Sequence, residues 1–404
     1  MELGLDRLGT TAPLCRRLEK DGGRRVGVLA HAASVDRGLV HIGERLDALG
    51  VRPRVWFAPE HGFGGAAQDM ATIDDEVLGT GTRVVSLYGD TLEALVPGAR
   101  DLAGLDLLLI DLADVGARYY TFVWTALLAA RSAARAGVHT VLLDRPNPLG
   151  GGARQVEGAS QRPGFTSFVG WEPVPVRHAL TLAELVCLFA GDDGLALGPR
   201  GAVSAVTVAG WDRESLARSW DRPFVQPSPN MPTADTALVY PGGCLLEGTN
   251  LSEGRGHTRP FEVVGAPFID GDRLARELAA TGLRGFVARP VTFVPTFHKH
   301  AGKACGGVQI HPTDEATFRP YATYLALVAL AHAQAPEQFR FRTERYEFVD
   351  DVPAFDLLTG SAVAREAILG GASARDVAEL VAAPDRAWPA RMELARARAS
   401  AAAW

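Results

Sequence analysis

Glu60 and His61 stand at the end of an apolar run, "VWFAP", and Asp111, Asp114 and Arg118 follow another, "LDLLLI". A third run, "HTVLL", ends in Asp144, Arg145 and Asn147, and His31 follows "RRVGVLA". A carboxyl group leaving an apolar segment is partly buried, and burial raises its proton affinity. Glu60 is placed to hold a proton near neutral pH and to act as a general acid. A later segment has another texture. "EGTNLSEGRGHTRPFE", Glu247–Glu262, packs three Glu, two Arg, a His, an Asn and three hydroxyls around only two plainly apolar residues, Leu251 and Phe261. Such a segment between apolar flanks reads as one wall of a polar binding cleft, or as a solvated loop.

The elements that must position these groups follow from hydrophobic period. The short apolar runs read as buried strands. Between them lie helical patterns such as "HIGERLDALG" and "RYYTFVWTALLAARSAARAG", the second ending at Gly137 and beginning with Tyr119 and Tyr120. Strands alternating with helices imply βαβ units and a mostly parallel sheet, which binds ligands beyond the carboxyl ends of its strands. The residues after each strand therefore converge on one rim. The expected fold is α/β: a Rossmann-like, mostly parallel domain over residues 1–228, then a smaller α+β domain over 229–404, with the site in the cleft between them. In the second part "DGDRLARELAATG" and "TFRPYATYLALVALAHAQ" read as helices, and "VARPVTFVPTF", "GGVQIHP" and the period-two "FRFRTERYEFV" as strands. The Ala/Arg-rich end reads as a solvated helix.

Composition narrows the function classes. With 404 residues, 47% hydrophobic and 22% charged, the chain is in the globular range for about two domains. A net charge of −6 and no long basic run argue against nucleic acid or an anionic membrane as the main partner. No run approaches the ~18 apolar residues of a membrane span. The N-terminus has no apolar signal core, so a cytoplasmic protein is expected. Cys15, Cys187, Cys244 and Cys305 lie far apart without a C-x-x-C pair, and scattered thiols are expected. "GFGGAA", Gly62–Ala67, fits a dinucleotide fingerprint, but it follows the second strand and opens no helical pattern. In "HKH", His298 and His300 could hold zinc, a substrate hydroxyl or nothing, and no third ligand is evident. No P-loop, H-E-x-x-H or G-x-S-x-G occurs.

Seven motifs in one order, "FAPEHGF", "DLADVGARYYT", "LDRPNPLGG", "PVPVRHALT", "PSPNMPT", "YPGGCLLEGTNLSEGRGHTRPFE" and "GGVQIHP", resemble the exo-β-N-acetylmuramidases, formerly a domain of unknown function. The resemblance runs from about residue 26 to the C-terminus. It implies a metal-independent glycosidase without a cofactor, acting on peptidoglycan-derived saccharides in cell-wall recycling and releasing N-acetylmuramic acid (MurNAc) from non-reducing ends. Three positions depart from the family pattern: His31 replaces Asn, Ala113 replaces Gln and His257 replaces Thr. Glycosidic cleavage ordinarily uses two carboxyl groups. The resemblance makes Glu60 catalytic; Asp114 and Glu253 compete for the second role, with substrate assistance by the 2-acetamido group as a third route. MurNAc carries a lactyl carboxylate, suited to the planar fork of arginine, and Arg118 and Arg255 are the candidates. Asn147, Asn230 and Asn250 suit sugar hydroxyls and amides. Tyr120 or Tyr119 suits stacking, and His61, His298 and His300 suit hydrogen bonding to substrate. A non-catalytic sugar-binding protein, or an NAD- or metal-dependent enzyme on the same fold, stands as the alternative.

Overall fold

The computed structural model describes residues 1–19, 25–65, 67–68, 76–77 and 81–404. Seven strands form the larger sheet: β1 (Val26–Ala30), β2 (Val55–Ala58), β3 (Glu76–Val77), β4 (Arg83–Ser86), β5 (Leu107–Asp111), β6 (His139–Leu143) and β7 (Val203–Val206). Their order is β3-β4-β2-β1-β5-β6-β7, and all pair in parallel except the edge strand β3. Counted in chain order, the six parallel strands run 3-2-1-4-5-6, the Rossmann arrangement. The chain builds outward from β1 through β2 to β4, then returns to the other side of β1 to lay down β5. That reversal makes the gap between β1 and β5 the topological switch point.

β1, β2, β5 and β6 are buried at every residue, as a sheet covered on both faces requires. The pleat divides them. Leu108 and Ile110 point into the core with the helices Phe122–Arg135 and Leu182–Asp192, while Leu107 and Leu109 join Ile42, Leu46 and the N-terminal leucines opposite.

The smaller sheet is antiparallel, β8 (Val263–Ala266), β10 (Cys305–Pro312) and β9 (Phe286–Phe293) in that order. It packs against the helix Gly271–Ala280, which in turn meets Pro320–Gln334. Its strands approach closely because β10 carries two glycines: a Cβ on Gly307 would lie 2.0 Å from the Val264 carbonyl oxygen. One apolar core runs through both parts. No helix among the described residues is long and apolar enough to cross a membrane.

The architecture is the expected α/β Rossmann-like part followed by a smaller α+β part, with local differences. "FRFRTERYEFV" is not a strand. It makes isolated bridges, Thr249 with Phe341 and Tyr346 with Val349, and Glu347 and Phe348 turn left-handed at φ 46° and 69°. The long helix starts at Phe122, so Tyr119 and Tyr120 precede it. The helix Ala234–Gly243 contains Pro241 and two glycines, of which Gly242 lies against Tyr324 and Gly243 against Phe261. The C-terminal helix Trp388–Ala401 is not merely solvated. It buries Trp388, Met392, Ala395 and Ala399 and pairs Arg398 with Asp192 at 2.7 Å. The Ala205 amide then donates to the Ala402 carbonyl at 2.9 Å, so the chain end returns to the first sheet.

Candidate active site

Near the carboxyl end of β2 the chain forms a partly open pocket lined mainly by polar and aromatic side chains. Its walls come from both parts: Glu60, His61, Tyr120, Thr121 and Ser228 from the first, Asn230, Glu247, Arg255, Phe261, Tyr346 and Glu347 from the second. Backbone strain gathers here. His61, Phe261 and Glu347 all adopt positive φ, 73°, 63° and 46°. Such conformations in non-glycine residues cost about 1–3 kcal/mol each and cluster at functional sites.

Glu60 follows β2 on a tight turn and is buried. The Thr121 hydroxyl donates to its Oε2 at 2.7 Å, fixing one oxygen. Next to it His61 is oriented by a 2.8 Å hydrogen bond between Nδ1 and the Ala67 carbonyl. The Tyr120 ring packs edge-on against Phe122 and Tyr240, at 4.8 Å and 5.9 Å between centroids. Burial holds its phenol well above the usual range, so it stays neutral. Asn230 donates to Gln68 Oε1 at 2.7 Å.

The facing wall is an ion-pair network. Arg255 bonds Glu247 at 2.7 Å, stands 3.1 Å from Glu253 and lies over the Phe261 ring. Tyr346 donates to the other Glu247 oxygen at 2.7 Å. Glu253 is behind this wall, fully buried. Burial alone would push its carboxyl up, but Lys299, the His298 hydrogen bond and Arg255 together hold it well below the usual carboxylate range. It is an anion held by Lys299, Arg255 and His298 and does not line the pocket.

His31 and Asp114 occupy the switch point. The Ala113 amide donates to His31 Nε2 at 3.1 Å, leaving the ring proton on Nδ1, which faces the Pro227 carbonyl. Burial, then repulsion from Arg145, lowers this histidine to about 3, so it stays neutral. Arg145 is itself paired with Asp111, one contact being 2.8 Å. Asp114 accepts from the Gly116 amide at 2.7 Å, while burial raises its carboxyl to about 7 against the amides of Gly116 and Val115. An unfolded Asp titrates near ~3.9. Folding therefore takes up a proton between these values, and this contribution to stability falls as pH rises from ~4 to ~7. Asp114→Asn keeps the Gly116 bond and has no proton to lose. Its melting temperature should rise relative to the parent chain between pH 5 and pH 8. A gap that is constant or shrinks would show that Asp114 is not the group holding the proton.

The structure brings Glu60, His61, Tyr120, Asn230 and Arg255 together, but not the rest of the expected set. Arg118 is fully buried and donates to the carbonyls of Ala159, Val174 and Leu358 at 2.8, 2.9 and 2.5 Å. It ties these backbone segments together and does not line the pocket. Asn147 serves its own turn, bonding the Leu180 carbonyl and the Leu149 amide at 2.9 and 2.8 Å. Asn250 joins the Gln338 carbonyl and the Arg340 amide, both at 2.9 Å. The two histidines of "HKH" diverge: His298 meets Glu253 at 3.0 Å, and His300 the Asn250 carbonyl at 2.7 Å. His257 lies outside the pocket, against Phe293. In "GFGGAA" residue 66 lies outside the described residues; Gly62 and Gly65 make turns around His61. Sequence reasoning missed Thr121, Ser228, Glu247, Tyr346 and Glu347. Glu247 and Ser228 stood inside the quoted motifs, but Glu347 was masked by a strand-like pattern.

Two family profiles divide the chain. That of the N-terminal part of exo-beta-N-acetylmuramidase NamZ matches residues 26–235, and that of its C-terminal part residues 238–394. A relative from Bacillus subtilis (strain 168), named peptidoglycan beta-N-acetylmuramidase NamZ, is 37% identical over 362 residues, 88% of this chain and 82% of its own. A crystal structure of a DUF1343 family protein from Bacteroides fragilis NCTC 9343 superposes with a TM-score of 0.83 at 26% identity, over 98% of both chains. A second protein of that family and organism, at TM-score 0.69 and 24% identity over 99% of this chain and 97% of its own, speaks to the fold alone.

Proposed function

This chain belongs to the exo-beta-N-acetylmuramidase NamZ family, and from that premise we propose how its pocket releases MurNAc from the non-reducing ends of peptidoglycan fragments. The observation carrying the assignment is a buried carboxyl group, Glu60, held by Thr121 in a pocket walled by aromatic and polar side chains. Glu60 protonates the leaving oxygen. The second carboxyl group is Glu347. It lines the same pocket on a strained turn, where the Tyr88 hydroxyl reaches its Oε2 at 3.4 Å. Glu253 is enclosed in ion pairs, and Glu247 has both oxygens engaged by Arg255 and Tyr346. Glu60 and Glu347 then divide the two carboxyl roles of glycosidic cleavage. Tyr120 presents an apolar face to the sugar ring.

Four cysteines that are all buried suit a reducing compartment, in keeping with a place in cytoplasmic recycling of wall fragments. Incubation with 4-nitrophenyl β-MurNAc and its N-acetylglucosamine (GlcNAc) counterpart tests the reading. Nitrophenol should be released from the first and not the second, equally with and without EDTA. Release from neither, or from GlcNAc alone, would refute it. Loss after EDTA with recovery on zinc would return His298 and His300 to a metal role.

A further inference from the structure

A second, half-open cavity lies at the switch point between β1 and β5, where open parallel sheets place their ligands. It adjoins the active-site pocket: Pro227 lines one and its neighbour Ser228 the other. Three polar groups in its wall are unmatched. Arg222 makes no hydrogen bond or ion pair among the described residues; Asp6, Asp111 and Asp36 act on it only through space. The Trp220 Nε1–H is buried without an acceptor, and Asp114 Oδ1 is buried without a donor. The other cation, Arg145, is already engaged by Asp111 and by the Val35 carbonyl at 2.9 Å.

Resting on the muramidase reading above, we propose that this cavity is a carboxylate subsite in which Arg222 and Trp220 hold the lactyl carboxylate of MurNAc. The chemistry favours a monoanion on a small apolar stem. A guanidinium fork matches a planar carboxylate, and the indole N–H supplies a further donor. Phe224 and the surrounding prolines give the lactyl methyl an apolar wall. Asp114 argues against a dianion such as phosphate, because a carboxyl beside it would repel. With its proton affinity raised by burial, it can instead donate to a monoanion. Arg255 is less suited, since its charge is already matched by Glu247 and Glu253.

Calorimetric binding of free MurNAc, free GlcNAc and MurNAc with its lactyl carboxyl converted to the amide tests this without turnover. Arg222→Gln should weaken MurNAc about 10–150-fold, the range of a charge-assisted hydrogen bond, and change GlcNAc and the amide by less than about twofold. Trp220→Phe, which keeps the ring and removes the donor, should weaken MurNAc about 2–10-fold. MurNAc affinity unchanged in Arg222→Gln, or equal losses for all three ligands, would overturn the subsite. If the parent chain binds MurNAc in this way yet releases no nitrophenol, the muramidase reading fails while the subsite stands.

Discussion

Glu60→Gln should reduce turnover of an unactivated MurNAc-containing disaccharide by about 10²–10⁴-fold, the usual worth of general acid–base help, with no loss of fold. Glutamine has the shape of glutamate, and its amide oxygen can accept the Thr121 hydroxyl that now bonds Glu60 Oε2 at 2.7 Å. The turn that carries the side chain should therefore survive, since the strain of His61 at φ 73° depends on the backbone and not on the carboxylate. What is lost is a transferable proton. The disaccharide is the decisive substrate, because its leaving alkoxide needs protonation, whereas nitrophenolate leaves readily without it. Single-turnover rates together with far-UV circular dichroism separate lost chemistry from lost fold. Near-parental turnover by a folded Gln variant would remove Glu60 from the acid role.

Glu60 was legible because its signal is local. A carboxyl that ends an apolar strand of a parallel sheet must emerge on the ligand-binding rim, and strand and rim are both written in consecutive residues. Arg118 carried the same signal and meant something else. Its neighbours in sequence gave no sign that the Ala159, Val174 and Leu358 carbonyls would fold over it, two of them from distant loops. Asn147 and Asn250 failed for a related reason. An asparagine amide satisfies backbone groups of turns and loops as readily as sugars. Glu347 failed for the opposite one: its segment alternates like a strand, and a left-handed φ at a non-glycine residue leaves no trace in composition. Arg222 stood in no quoted motif, and only the folded chain shows that no carboxylate among the described residues pairs with it.

The largest effect on stability should come from outside the pocket. Lys299→Met should destabilise the chain by about 3–5 kcal/mol at neutral pH, the cost of leaving a buried charge without its partner. The Lys299 ammonium reaches Glu253 Oε2 at 3.0 Å and the carbonyls of Leu246 and Leu251 at 2.8 and 3.2 Å, so one side chain ties the polar segment to itself. Methionine fills similar volume and supplies no donor. Glu253, with no exposed surface, would keep Arg255 and His298 but lose the strongest attraction opposing its burial. The sign with pH follows. The folded carboxyl is held below its unfolded value of ~4.3, so its contribution is present above that value and lost as pH falls through the folded one. The deficit of Lys299→Met should accordingly be full at pH 7 and shrink toward pH 3. Adding Glu253→Gln should recover part of it, since the amide has no charge to bury. Urea unfolding of the single and double variants measures both effects. A single-variant loss below about 1 kcal/mol, the worth of an ordinary exposed ion pair, would mean that Lys299 does not hold Glu253. The same variant bears on the pocket, because Arg255 stands between Glu253 and Glu247. With Glu253 less fixed as an anion, Arg255 should shift its weight to Glu247, and the wall facing Glu60 should loosen before the sheet does.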